Sequence, residues 1–195
     1  MPVVTLAEID ATSKKAARGH GCPWGMAEEA GKSARWLASH GLRGTEALAV
    51  MLAERTACCM QTGTPCALAG GTALSDRAPL IGSEPVDVNV ADHPLLVLAQ
   101  LGRTADALDC AFMLEWSGGT ATLARHSLSI QGADLALPMT CRAIEREQNG
   151  APSTPASRPV DAAAWAALTA LSHRILVPAS DESRAGAGAG TTDND

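Results

Sequence analysis

The first 57 residues carry the clearest structural pattern in the sequence, three helical stretches separated by glycines. Thr5 and Glu8 have the spacing of a capping box, in which each side chain accepts a hydrogen bond from the other residue's backbone N–H. Gly19 and Gly41 each follow apolar residues spaced three and four apart, and glycine commonly ends a helix. We therefore expect three helices with a break after each of these glycines.

Beyond residue 57 the composition and the spacing of apolar residues change several times. Residues 60–92 are rich in Gly, Ser, Pro and Asp, which predicts a loop with one short strand in VDVNV. Residues 93–109 return to helical spacing, whereas residues 110–147 largely alternate with period two, which predicts a β-hairpin. Within the latter, ADLALPMTCRAIERE fits either a strand or a helix. A Pro- and Ser-rich connector at 148–160 and a helix at 161–173 follow.

Together these patterns predict an α+β fold with an N-terminal three-helix unit, a small antiparallel sheet, a C-terminal helix and a glycine-rich tail. The strand and helix patterns do not alternate as βαβ units, so a dinucleotide-binding fold is not expected. A length of 195 residues suits a single domain. Its expected subregions are helical at 1–57, mixed loop, helix and hairpin at 58–150, and connector, helix and tail at 151–195.

Composition narrows the classes of function. The net charge is −6 and the pI about 5.3, which argues against nucleic acid as a partner, since phosphate binding needs a basic face. No apolar run approaches the ~20 residues that cross a bilayer, and no secretory signal is visible, so we expect a cytoplasmic protein without a membrane partner. The six cysteines are then expected to be thiols, and their spacing does not suggest zinc.

The sequence SRAGAGAGTTDND, at residues 183–195, combines glycines with an arginine and acidic residues. Glycines at 186, 188 and 190 (Gly186, Gly188 and Gly190) allow backbone N–H groups to converge on an anion, and Arg184 would add charge. A frayed tail is the alternative. Asp193 and Asp195 resemble the opening of a calcium loop, but the Gly and Glu that such a loop requires do not follow, so we predict no metal site.

The stretch GHGCPWG contains a second group of candidates. A thiol at Cys22, as the cap of the second helix, would have a lowered pKa, and His20 could act as its base. Cys22 could instead be a small packed side chain, which is the interpretation we favour. Trp24 could stack on a planar ligand at the helix start. Only one of Glu28 and its neighbour Glu29 can face a given site, because adjacent helical residues point about 100° apart.

Two motifs resemble those of a family of uncharacterised bacterial proteins, a domain of unknown function of about this length. One is Pro-Trp-Gly-x-Ala-Glu-Glu, at residues 23–29, and the other is Gly-Ala-Gly-Ala-Gly-x-Thr-Asp-Asn-Asp, at residues 186–195. The resemblance implies no activity, cofactor or catalytic residue. It does imply an ordered tail, because a disordered one has no physical reason to share its glycine spacing with relatives.

These observations suggest a cytoplasmic enzyme or binding protein for an anionic or amino-acid-like metabolite. Its pocket would lie between the start of the second helix and the C-terminal loop. The candidate ligand-binding residues are Trp24, Glu28, Arg184, Gly186, Gly188, Gly190, Asp193 and Asp195. The alternative is a non-catalytic accessory subunit that binds a metabolic enzyme, or a homo-oligomer, through the same two ends. Catalytic residues, cofactor and substrate stay open.

Overall fold

The fold is α+β, as expected, and combines helices with antiparallel sheets. The computed structural model describes residues 1–56, 66–88, 90, 92–145 and 156–176. The α-helices within these residues are α1 (Leu6–Gly19), α2 (Trp24–Ser39), α3 (Gly44–Ala53), α4 (Ala67–Asp76), α5 (Pro94–Leu108) and α6 (Ala162–His173). The strands are β1 (Val3–Thr5), β2 (Val86–Asp87), β3 (Ala111–Trp116), β4 (Gly119–Ala124), β5 (Ser127–Gly132), β6 (Met139–Ile144) and β7 (Ser157–Pro159).

The three N-terminal helices are confirmed. Thr5 and Glu8 form the predicted capping box at the start of α1. Ile9, Ala16 and Ala17 are fully buried on one face of α1, which packs against α2 and α6. The small alanines let these helices approach closely. The capping box and the apolar spacing that define this unit are local features of the sequence, so they could be predicted.

Helix α5 is the central element of the fold. It packs against α2, α3 and α4 and also against strands β3 and β4. Its residues from Leu96 to Gly102 are all buried. Consequently the helices and the sheet share one aliphatic core, in which Phe112 is the fully buried aromatic residue of strand β3.

The main sheet has five antiparallel strands in the order β2-β6-β3-β4-β5. Leu114 in β3 lies opposite Ala121 in β4 and Cys141 in β6, and all three side chains are buried. The expected hairpin is therefore present, and β6 is a strand rather than a helix. His126, with a φ of 55°, forms the turn between β4 and β5, a second hairpin that the alternating pattern did not separate.

Three segments differ from the expectation of a loop. Ala67–Asp76 forms α4, and Ala78–Leu80 forms a short 3-10 helix. Gly71 of α4 faces α5 at a place where a Cβ would lie 3.0 Å from the Gln100 side chain. Glycine here permits close helix packing instead of breaking the helix. Ser157–Pro159 of the expected connector is strand β7, which pairs with β1. That pairing joins two segments that are far apart in the sequence, so no local pattern predicts it.

The expectation that all six cysteines are thiols is wrong, since Cys66 is disulfide-bonded. Cys22, Cys110 and Cys141 are thiols. Sequence spacing alone does not reveal which sulfurs the fold brings within bonding distance. Within the described residues, no helix is both long and apolar enough to span a membrane.

Candidate functional site

A groove of about 640 Å³ opens between the start of α2, the end of α4 and one side of α5. Glu28, Glu29, Asp76 and Arg103 are the ionisable side chains among the described residues that line it. The expectation that only one of Glu28 and Glu29 can face a site is wrong, because the groove is wide enough for both to line it. Such a volume is within the range of small-molecule sites in proteins. The groove therefore has the size and the charged groups that binding a polar metabolite requires.

The first turn of α2 forms one end of the groove. Pro23 is the N-cap residue, and no side chain among the described residues caps this turn. The first backbone bond of the helix runs from the N–H of Ala27 to the carbonyl of Pro23, which leaves the N–H groups of Trp24, Gly25 and Met26 without an intrahelical acceptor. These groups carry the positive end of the helix dipole, so this end of the groove suits an anionic group.

Arg103 on α5 and Glu29 on α2 form an ion pair at the groove wall. The guanidinium donates two hydrogen bonds to the carboxylate, at 2.7 Å from Nη1 and 3.4 Å from Nη2. Burial by itself would raise the pKa of Glu29, but the hydrogen bonds and charge of Arg103, aided by Lys32, outweigh it and hold that pKa below its ordinary value. Glu29 is therefore a carboxylate at neutral pH, and it fixes the position of Arg103.

A buried amide forms part of the groove floor. Gln100, which is only 1% exposed, donates from Nε2 to the carbonyl of Leu68 at 3.0 Å. Its Oε1 accepts a hydrogen bond from Thr72 at 2.9 Å. Both partners lie on α4, and Gly71 makes room for the amide there. The floor is thus a preorganised polar surface, held by hydrogen bonds between α4 and α5.

Two carboxylates and a hydroxyl complete the polar lining. Glu28 lies 3.9 Å from the Lys32 ammonium, a distance too long for a strong hydrogen bond, and Asp76 is exposed at the end of α4. The Ser75 Oγ atom is buried and has no hydrogen-bond partner among the described residues. The two carboxylates can accept hydrogen bonds from a cationic group in the groove.

The predicted site residues fall in different places. Glu28 lines the groove, whereas Trp24 is 59% exposed and stands beside the Lys14 ammonium, 5.5 Å from its ring, outside the groove lining. Arg184, Gly186, Gly188, Gly190, Asp193 and Asp195 lie outside the described residues.

Cys22 is not the cap of α2, contrary to expectation. Its N–H donates to the carbonyl of Ala17 at 2.9 Å, and Gly21 has a φ of 96°, so the backbone of Cys22 belongs to the end of α1. The side chain is 2% exposed. This burial favours the interpretation that the thiol packs against its neighbours.

Sequence reasoning missed Gln100, Arg103 and Thr72. The first two had a signal that could have been used. Gln100, Arg103 and Thr104 are spaced three and four apart on a mostly apolar helix, and all three line the groove. Thr72 had none, because it sits in a segment that was expected to be a loop.

Comparison with known protein families gives a match to the N-terminal part of the chain. Residues 4–89 match the model of a family described as protein of unknown function (DUF3726). No curated protein and no solved structure matches. The matched segment includes α2, Glu28 and Glu29, but neither α5 nor the C-terminal motif. The expected relationship to an uncharacterised protein family is confirmed, and through residues 4–89 the chain is similar to the family of unknown function DUF3726.

Proposed function

We propose that the groove binds an amino-acid-like metabolite. The observation that carries the proposal is the meeting, in one cavity, of an uncapped helix start, a fixed arginine and unpaired or loosely paired carboxylates. A zwitterion presents one carboxylate and one ammonium, and the groove offers groups of the complementary sign to each.

In this proposal the ligand carboxylate lies at the positive end of the groove. The N–H groups of Gly25 and Met26 donate to it, and the Arg103 guanidinium, which Glu29 holds in place, donates from its remaining N–H groups. The ligand ammonium lies toward Glu28 and Asp76. Because both acids line the groove without a close cationic partner among the described residues, an ammonium gains charge-assisted hydrogen bonds there. The proposal concerns binding and assigns no catalytic residue.

The C-terminal loop stays in the proposal as a second contributor to the site. Arg184 and the glycines at 186, 188 and 190 would add cationic and backbone donors, and Asp193 and Asp195 would add acceptors. Removal of residues 185–195 should then weaken ligand binding. A cytoplasmic location also stays part of the proposal, although a disulfide at Cys66 is unusual in that compartment.

The test is calorimetric titration with three sets of probes: free L-amino acids, the same compounds N-acetylated, and the same compounds as C-terminal amides. We expect binding by a free amino acid and loss of affinity for both derivatives, because each lacks one of the two charges. Arg103→Gln and Glu28→Gln should each weaken binding about tenfold, the equivalent of about 1.4 kcal/mol.

Matched controls remove the same charges elsewhere. Arg125→Gln and Glu145→Gln change exposed residues outside the groove and should leave affinity unchanged. If no free amino acid binds, or if the derivatives bind equally well, the proposal is wrong.

One observation favours a second candidate, the accessory subunit. From Ala162 to Ser172 helix α6 carries no charged residue. Five of its alanines are exposed: Ala162, Ala163, Ala166, Ala167 and Ala170. A helix face of this kind suits close packing against another chain, either a metabolic enzyme or a second copy.

This second candidate is tested by introducing a charge into the alanine face. Light scattering after size exclusion would measure the oligomeric state, and affinity capture would measure the stoichiometry of any partner. Ala166→Arg should abolish the complex, whereas Ala73→Arg, at an exposed position on α4, should preserve it. A monomer that captures no partner at fixed stoichiometry would contradict the subunit hypothesis.

A further inference from the structure

Next to the groove, along the following turns of α2, lies a separate depression of about 250 Å³. Its lining consists of Asp10 on α1, Lys32, Arg35, Trp36 and Ser39 on α2, and Arg103 on α5. Three of these six side chains are cations and one is an anion. The lining itself therefore holds more cations than anions, on a protein whose net charge is −6. Glu29, which is not part of the lining, pairs with Arg103 and Lys32.

The cations on α2 are only loosely paired. The Lys32 ammonium lies 3.5 Å from the nearest oxygen of Glu29 and 3.9 Å from that of Glu28. The Arg35 guanidinium lies 3.7 Å from Asp10. Charge-assisted hydrogen bonds are normally about 2.7–2.9 Å long. Lys32 and Arg35 thus keep most of their donor capacity for another anion. Their side chains are roughly half exposed, so a ligand can reach them.

The wall between these cations is rigid. Trp36 is 7% exposed, and its indole N–H donates to Asp106 at 3.0 Å. Its ring lies so close to Gly102 that a Cβ at that position would be 2.1 Å from Cζ2. Arg103 is held by Glu29 as well. Two sides of the depression are therefore fixed before any ligand arrives, which reduces the entropy lost on binding.

We propose that this depression binds the phosphate group of a small phosphorylated metabolite. A phosphate monoester carries up to two negative charges on a compact group of oxygens. The planar guanidinium of Arg35 matches pairs of those oxygens, and the Lys32 ammonium adds a point charge. A single carboxylate would engage fewer of these donors. In the complex, the phosphate displaces the Asp10 side chain from Arg35, because it carries more negative charge. The volume of about 250 Å³ admits a phosphate with a small organic group.

The experiment follows the indole N–H signal of Trp36 by nuclear magnetic resonance, with Trp36→Phe identifying that signal. Inorganic phosphate and glycerol 3-phosphate are the probes, and sodium chloride at matched ionic strength is the reference, because screening alone also shifts signals. A saturable shift with both phosphates, absent with chloride, is expected. A shift with inorganic phosphate that glycerol 3-phosphate does not reproduce would restrict the site to the free ion and overturn the proposal for a metabolite.

Charge-removing variants decide whether the depression itself is responsible. Lys32→Gln and Arg35→Gln should each raise the dissociation constant about tenfold. Lys15→Gln removes a charge from an exposed position on α1 outside the depression and should have no effect. Equal weakening by Lys15→Gln, or no response to Lys32→Gln and Arg35→Gln, would refute the site. All these residues are exposed or half-exposed, so circular dichroism should show unchanged folding. The result does not depend on amino-acid binding in the groove.

Discussion

Arg103 and Glu29, which are 74 positions apart in the sequence, form a two-hydrogen-bond ion pair that ties α5 to α2. The folded state holds the pKa of Glu29 below its ordinary value, against the opposing effect of burial. The ionised carboxylate therefore stabilises the fold at pH values above the unfolded pKa of about 4.3, and this contribution is lost as the pH falls through the folded pKa.

We expect Arg103→Gln to lower the free energy of unfolding by about 1 kcal/mol at pH 7, because both side chains are about one-quarter exposed and solvent screens part of the attraction. As the pH falls through the folded pKa of Glu29, the difference from the wild type should shrink, since the carboxylate is protonated. Urea unfolding at a series of pH values from 7 downward measures this. Arg125→Gln, which removes an exposed partner of Asp109 at 3.6 Å, should cost less than about 0.5 kcal/mol. An Arg103→Gln effect that does not change with pH would contradict the assignment.

Gly102 provides a test of the packing between α2 and α5. A Cβ at this position would lie 2.1 Å from the Trp36 ring, so Gly102→Ala requires the ring or the helix to move. We expect a loss of roughly 1–3 kcal/mol in the free energy of unfolding, the usual cost of overpacking. Gly25→Ala is the matched control, because a Cβ there meets nothing within 4 Å. That substitution should be neutral or stabilise by up to about 1 kcal/mol. Equal effects of the two changes would mean that the α2–α5 contact is looser than described.

The capping box of α1 and Gly71 of α4 show which features of the fold the sequence predicts and which it does not. The capping box of Thr5 and Glu8 was predictable because its partners are three residues apart. Helix α4 was not predicted, because Gly71 suggested a loop. Its role is a contact with Gln100 on another helix, and the composition of the surrounding sequence does not show such a contact.

The same limit applies to the candidate site. Glu28 was predicted to belong to it from its place in the first turns of α2, a local feature. Its location in the groove depends on α4 and α5 folding back onto α2, and Arg103 reaches Glu29 only through that arrangement. Charges paired across such distances along the chain leave no periodic signal. The tail residues lie outside the described part of the chain, so their role stays a prediction.

Cys141 should be chemically silent in the folded protein. Burial raises the pKa of its thiol to about 12, with a smaller contribution from Cys110. At pH 8 the thiol is protonated, and the reactive thiolate is scarce. We expect iodoacetamide to leave Cys141 unmodified under native conditions and to modify it in urea, as measured by peptide mass spectrometry. Cys110 is partly exposed and should react faster, although burial raises its pKa as well. Native labelling of Cys141 at the rate of Cys110 would show that β6 is not buried as described.

Gly25 allows the groove to be blocked without disturbing the fold. The residue lines the groove in the first turn of α2, and the space where its Cβ would lie is open. A leucine there would occupy part of the groove beside the backbone N–H groups that we assign to the ligand carboxylate. It would also remove a helical glycine, which tends to stabilise. Gly25→Leu should therefore weaken amino-acid binding at least tenfold while the free energy of unfolding stays the same or rises.

Gly82→Leu is the control, since Gly82 is exposed, has an equally open Cβ position and lies outside the groove lining. Calorimetry and urea unfolding on both variants give the two readouts. If Gly25→Leu binds free amino acids as tightly as the wild type does, the ligand is not in this groove.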